Sequence, residues 1–165
     1  MKIVMTDKGT VLARHATGEK ITAAQYGGNV LIGVIDPGLW SQDARGTDHL
    51  SGSALDIARD LAKQMIADRI DDRLSESLER YPSAERATHP AKLAEAQAVL
   101  AGGEAGPYLS AAAKARGDNV KALAGKVVRK AEDEANAVAQ AEAERAAAYT
   151  AIEKAKTVKA VIEAL

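Results

Sequence analysis

Apolar residues change their spacing near Gly52. Before it they come in short runs broken by turn residues. After it they recur at three- and four-residue steps almost to the end of the chain. Lys2-Ile3-Val4-Met5 predicts a short strand, Asp7-Lys8-Gly9 a turn, and Thr10-Val11-Leu12-Ala13-Arg14 the returning strand of a hairpin. The apolar run over 29–35 predicts a third strand, partly buried and closed by the turn signal Asp36-Pro37-Gly38. Three short strands are marginal alone, so they are expected to pack on a helix or to add to a partner's sheet. Residues 1–38 therefore read as a small β element. Residues 39–52, where Trp40 stands among Gly, Ser and Asp, read as a linker or extended arm.

Residues 53–165 read as a helical domain. Leu55, Ala58, Leu61, Ala62, Met65, Ile66, Ile70, Leu74 and Leu78 form one stripe on a 3.6-residue period, predicting a first long helix over 53–78. Ser51 or Ser53 is placed to cap it, and Tyr81-Pro82 to stop it. A second helix is expected from a Ser83 cap, interrupted at His89-Pro90, so that its main run is 90–100 with Leu93, Ala96, Gln97 and Leu100 inward. Gly102-Gly103 ends it. Pro107 opens a short helix over 108–115, closed by Arg116-Gly117. Asp118 or Asn119 caps the last long helix, whose stripe is Val120, Leu123, Ala124, Val127, Val128, Ala131, Ala135, Val138, Ala139, Tyr149 and Ile152. Unbroken to Lys156, that helix would be about 57 Å long at 1.5 Å per residue, and the first long helix is its expected antiparallel companion. Thr157 is placed to cap a final helix over 158–165. The expected fold class is mainly α: an antiparallel helical hairpin or bundle with a long C-terminal helix and a small N-terminal β element.

Composition narrows the function. The formal net charge is -1, from 22 basic and 23 acidic residues, and gives no basic footprint for nucleic acid or an anionic membrane. There is no cysteine, which excludes disulfides, thiolate nucleophiles and cysteine-based zinc sites. No signal-peptide pattern follows Lys2, and no apolar run approaches a membrane span. With no Phe and one Trp, the core must come from Ala, Leu, Val and Ile, which bury less area per residue. Closely approaching helices, stabilised in part by copies of the chain or by partners, are the expectation.

No cluster carries credible chemistry. His15, His49 and His89 have no second ligand at metal spacing. Asp68, Asp71, Asp72 and Glu76 share a helix with the interleaved Arg69, Arg73 and Arg80, which is the pattern of a solvated salt-bridged face. Glu132-Asp133-Glu134 reads the same way. Gly27-Gly28 and Gly102-Gly103 lack the spacing of phosphate loops. No nucleophile, base and orienting group form a set, so no enzyme, no cofactor and no metal site is expected. The candidate partner-binding residues are Trp40 with its neighbours Leu39 and Pro37, then Tyr26, because Trp and Tyr are favoured interface anchors. A Trp40 ring folded back on its own domain is an equal alternative.

One stretch goes beyond generic helix. It begins Arg80-Tyr81-Pro82-Ser83-Ala84-Glu85-Arg86-Ala87-Thr88-His89-Pro90 and passes through Lys92-Leu93-Ala94-Glu95-Ala96-Gln97-Ala98, Pro107-Tyr108-Leu109 and Ala115-Arg116-Gly117. It ends Leu123-Ala124-Gly125-Lys126-Val127-Val128-Arg129-Lys130-Ala131. This order resembles a helical module of small tailed-bacteriophage and prophage proteins found in tail-fibre and baseplate neighbourhoods. The module has a Tyr-Pro-x-x-Glu turn, a Glu-Ala-x-Ala helix and an Ala-Arg-Gly turn before its last helix. The resemblance covers roughly residues 66–165. Many relatives carry Trp where this chain has His89. The resemblance implies a structural virion component of a tail tip, baseplate or fibre apparatus, assembled in the bacterial host cytoplasm, homo-oligomeric, with other tail or fibre proteins as partners. The alternative it implies is a tail-fibre assembly chaperone. It names no active site.

Overall fold

The computed structural model describes residues 1–79 and 81–165, with the side chains of all of these except 48 and 76–79. Arg80 and the side chains of Glu76 and Leu78, expected on the charged and apolar faces of the first long helix, lie outside the described residues. Helices make up 62% of the chain, so the fold is mainly α. Among the described residues five strands precede five helices: β1 Lys2–Thr6, β2 Val11–His15, β3 Val30–Val34, β4 Trp40–Gln42, β5 Asp48–Leu50, α1 Ala54–Glu79, α2 Ser83–Leu100, α3 Pro107–Arg116, α4 Val120–Lys154 and α5 Val158–Glu163. The chain divides into two compact units. One is Met1–Asp72 with Ala143–Leu165, and the other is Arg73–Glu142. The single helical domain expected over 53–165 is thus shared between two units, because α1 and α4 are each long enough to supply both.

In the first unit the sheet order is β2-β1-β3, antiparallel throughout. The central strand β1 buries Ile3, Val4 and Met5 completely, which explains its unbroken apolar run. Gly9, at φ 79, makes the expected turn into β2. Met5 stands opposite Leu31, and Ile3 opposite Gly33. A Cβ on Gly33 would lie 2.7 Å from Leu61 Cδ2 and 2.8 Å from Gln64 Oε1, so glycine is what lets α1 approach β3. Gln64 then bonds both main-chain groups of Val34: its Oε1 accepts from the Val34 N–H at 2.8 Å, and its Nε2 donates to the Val34 carbonyl at 2.9 Å.

Of the expected α1 stripe, Ala58, Leu61, Ala62, Ile66 and Ile70 are buried and Leu55, Met65 and Leu74 half-buried, while Ile57, which the stripe left out, is buried as well. Arg59 ties α1 to the end of α4, donating through Nη2 to the carbonyls of Ala155 at 2.8 Å and Glu153 at 3.3 Å. Its Nη1 donates to Asp56 at 3.0 Å, while its enclosed Nε has no partner. Lys63 bonds the Glu153 carboxylate, and Tyr149 donates to the Lys63 carbonyl at 3.3 Å. The Lys63 hydrogen bond, then its charge, holds the Glu153 carboxyl below the ordinary carboxylate range. Arg69 reaches the Leu165 main-chain oxygen at 2.9 Å. Thr157 caps α5 as expected, accepting from the Ala160 N–H.

The linker expected over 39–52 is instead a hairpin. β4 and β5 pair antiparallel, with Trp40 opposite Leu50. The turn between them is organised by Asp43, whose Oδ1 accepts from the N–H groups of Arg45 at 2.8 Å and Thr47 at 2.9 Å. Three-residue strands carry too little alternation to be read as strands, and polar turn residues masked them. The Thr47 N–H above all, then His49 and the Arg45 N–H, hold the Asp43 carboxyl below its ordinary value of 3.8. A depressed carboxyl means the unfolded chain binds the proton first as pH falls. The stabilisation is therefore complete above pH 3.8 and is lost as pH falls through the depressed value. Trp40 fluorescence followed from neutral to strongly acid pH should show this loss in the parent chain, and a flattened profile in Asp43→Ala.

The second unit is built on Ala96, Leu109, Ala113, Leu123 and Ala124, with Val99, Ala105, Ala112, Val120, Val127 and Val128 packed against them. Two expectations about α2 are corrected. It starts at Ser83 with Pro82 as its cap residue, and it runs straight through Pro90. The proline removes one N–H and leaves the Arg86 carbonyl without its helical donor. Arg86 lies on an exposed stretch, where a carbonyl without a helical donor is open to solvent at low cost. Gly117, at φ 68, ends α3, and Asn119 caps α4 by accepting from the N–H groups of Lys121 and Ala122. The expected α4 stripe is interrupted: Ala135, Val138 and Ala139 are exposed, and α4 ends at Lys154 rather than Lys156.

Candidate interaction surfaces

The start of α3 is held from α2. Glu95 accepts from the Leu109 N–H at 2.7 Å and the Tyr108 N–H at 3.3 Å, filling the role of an N-cap that Gly106 cannot play. A Cβ on Gly106 would collide with the Glu95 carboxylate, so the two residues form one device. Glu95→Ala should lower the stability of the second unit by about 0.5–2 kcal/mol, the range for losing an N-cap, as read from the urea midpoint of the helical CD signal. An unchanged midpoint would show that the cap contributes nothing.

This device positions a groove between α2, α3 and α4. Its volume is about 430 Å³. Leu93, Leu109, Ala112, Leu123, Val127 and Ala131 give it an apolar floor, with Tyr108 on its wall 46% exposed. Four cations line it, Lys92, Arg116, Lys126 and Lys130, against two carboxylates, Glu85 and Glu134. Lys130 bonds the Tyr81 hydroxyl and sits 3.9 Å from the ring centroid. The Tyr81 ring meets His89 edge-on at 5.4 Å. Lys126 faces Asp118 at 3.8 Å, both ends partly in water. A shape of this kind suits an apolar side chain flanked by carboxylates. Sequence reading missed it as a site. The signal lay in Lys126 and Lys130, four apart beside Val127 and Ala131 on a helix whose other turns alternate in charge sign.

The four anchors named from sequence lie in the first unit and do not form one patch. Pro37, Leu39 and Trp40 all lie in the turn that enters β4; Asp36 accepts from the Gly38 N–H at 2.8 Å and holds that turn. Leu39 is 37% exposed. Trp40 is half-buried, with the Arg14 guanidinium 4.4 Å from its ring centroid. Tyr26 accompanies His15 instead, its hydroxyl 2.6 Å from His15 Nε2. Arg14 and His15 are neighbours on β2 and project to opposite faces, which separates Trp40 from Tyr26.

Glu19 lies 3.0 Å from His15 Nδ1, so carboxylate, imidazole and Tyr26 hydroxyl stand in a row beside an open depression. The row fastens the short turn Ala23–Tyr26 and its loop to β2. His49 pairs with Asp43 at 3.3 Å. Among the described residues no group of three or more His, Asp or Glu side chains is placed to hold a metal ion, and no helix is long and apolar enough to cross a membrane. Comparison with family models, curated proteins and solved structures finds no match to this chain.

Proposed function

We propose that the chain is a non-enzymatic structural component of a phage tail tip, baseplate or tail-fibre apparatus. It docks through its N-terminal segment, and its helices pack as an antiparallel bundle and associate with copies of the chain. The observation that carries the reading is the placement of the phage-like motif residues. Tyr81-Pro82 opens α2, Glu95 caps α3, Ala115-Arg116-Gly117 closes α3, and Leu123, Lys126, Val127, Lys130 and Ala131 of the last run line the groove. Residues that carry the resemblance are therefore the ones that build a core and a surface beside it. Pro37, Leu39 and Trp40 supply the docking side at the β4 turn. Residence in the virion tail after assembly in the host cytoplasm belongs to the same proposal, as does the absence of cofactor, nucleic acid and membrane from its working partners.

A tail-fibre assembly chaperone is the second reading, and the groove is what favours it, since an apolar floor with a charged rim suits a partner that binds and leaves. Quantitative mass spectrometry of purified particles separates the two. Presence at fixed ratio to a major tail protein is the expected result. Abundance in the lysate with absence from particles would overturn the virion reading in favour of the chaperone.

A further inference from the structure

We propose that the groove between α2, α3 and α4 receives an acidic amphipathic helix of a partner protein, with its apolar side chains on the floor and its carboxylates against the groove's cations. The site belongs to the second unit, whereas the docking role given above to Pro37, Leu39 and Trp40 belongs to the first. It stands whether or not the chain stays in the particle, so the particle experiment and the one below fail separately.

The argument starts from charge. Lys92, Arg116, Lys126 and Lys130 line the groove against Glu85 and Glu134. Lys126 has a carboxylate partner, Asp118 at 3.8 Å. Among the described residues the other three cations have no carboxylate at salt-bridge distance. Lys130 spends its contacts on the hydroxyl and ring of Tyr81, which are neutral, so its charge stays uncompensated. The charges are also sorted along the groove. Glu85 and Glu134 each stand four residues from the Tyr81–Lys130 contact. Arg116 is two residues before Asp118, and the Asp118–Lys126 contact brings that end of α3 beside Lys126. The excess positive charge therefore gathers toward Arg116 and Lys126, and the occupant's carboxylates belong there.

Exposed ion pairs alone contribute little, and the floor supplies the rest. Leu93, Val127 and Ala131 are only half-buried, and Tyr108 is 46% exposed, so apolar area remains to be covered. The walls are helices, whose main-chain groups are satisfied internally, and they offer no strand edge. An occupant must then satisfy its own main chain and be read through its side chains, as a helix in a groove is. The α4 face lining the groove carries Lys126 and Lys130 against Glu134, so the same face of a second copy would meet like charge.

The probe is a short labelled peptide with leucines at three- and four-residue steps and glutamates between them. Its control has lysine for every glutamate. Titrated with the full chain, the acidic peptide should raise its fluorescence anisotropy with a Kd at least about tenfold below that of the control, and binding should weaken about tenfold when salt is raised from about 0.05 to 0.5 M. Alanine for every leucine should weaken it at least about tenfold, because the floor is left uncovered. Lys92→Glu with Arg116→Glu should reverse the preference, and this gain of binding to the lysine peptide shows that the variant is folded. Absence of binding by the acidic peptide up to about 1 mM chain would overturn the proposal. So would equal affinity for both peptides, or an unchanged preference in the variant. Binding of dodecanoate without binding of the peptide would overturn the helix as occupant in favour of a small amphiphilic acid.

Discussion

Gly33→Val should destabilise the first unit by about 3–4 kcal/mol, the sum of an overpacked contact and weakened hydrogen bonds to a neighbouring strand. The added branches have nowhere to go, with Leu61 Cδ2 and Gln64 Oε1 already within 3 Å of where the Cβ would stand. Relief requires α1 to back away from β3, and that movement pulls Gln64 off both main-chain groups of Val34. Trp40 is the one tryptophan and belongs to this unit, so its fluorescence during urea unfolding reports the effect. The double variant Gly33→Val with Leu61→Ala should lose less than the sum of its parts, because the smaller residue makes room. Additive losses would mean that the strand–helix approach is not what glycine serves.

Arg59→Ala is the second large effect, expected at about 2–3 kcal/mol because hydrogen bonds from a charged donor are among the stronger ones. The guanidinium supplies donors to two carbonyls at the end of α4, where helical partners run out and the helix dipole favours a cation. Its side chain is only 20% exposed, so water replaces those donors poorly. Its Nε, enclosed without a partner, offsets part of the gain. Both Arg59→Met and Arg59→Ala remove the unpartnered group, and Arg59→Met should lose less because it keeps the packed stem. Equal losses, measured by the urea midpoint of Trp40 fluorescence, would place the whole effect in the carbonyl bonds.

Elements written in local chemistry were legible in the sequence. The stripe of α1 is buried at Ala58, Leu61, Ala62, Ile66 and Ile70, as its period marks. Gly117, Asn119 and Thr157 act where cap rules put them. What depends on distant residues was not legible. Pro90 reads as a break because sequence does not reveal that Arg86, whose carbonyl loses its helical donor, is exposed. The β4–β5 hairpin was hidden by strands of three residues and a turn held by one carboxylate. Glu95 looks like any helical glutamate until α3 is placed against it. The groove escaped notice for the same reason: its floor comes from three helices, and no single one carries its pattern. Of the named anchors, Trp40 lies against Arg14, a pairing between residues 26 positions apart that no local rule marks.

The amide of Gln64 has a further consequence. An outer strand normally offers its unpaired N–H and carbonyl groups to any passing chain, which is how sheets seed aggregates. At Val34 both groups are already taken by a side chain, and the next outward N–H, that of Ile32, points at the Met65 sulfur at 3.2 Å. The helix thus acts as a stopper on this margin of the sheet, and new strands cannot be templated there while α1 stays in place.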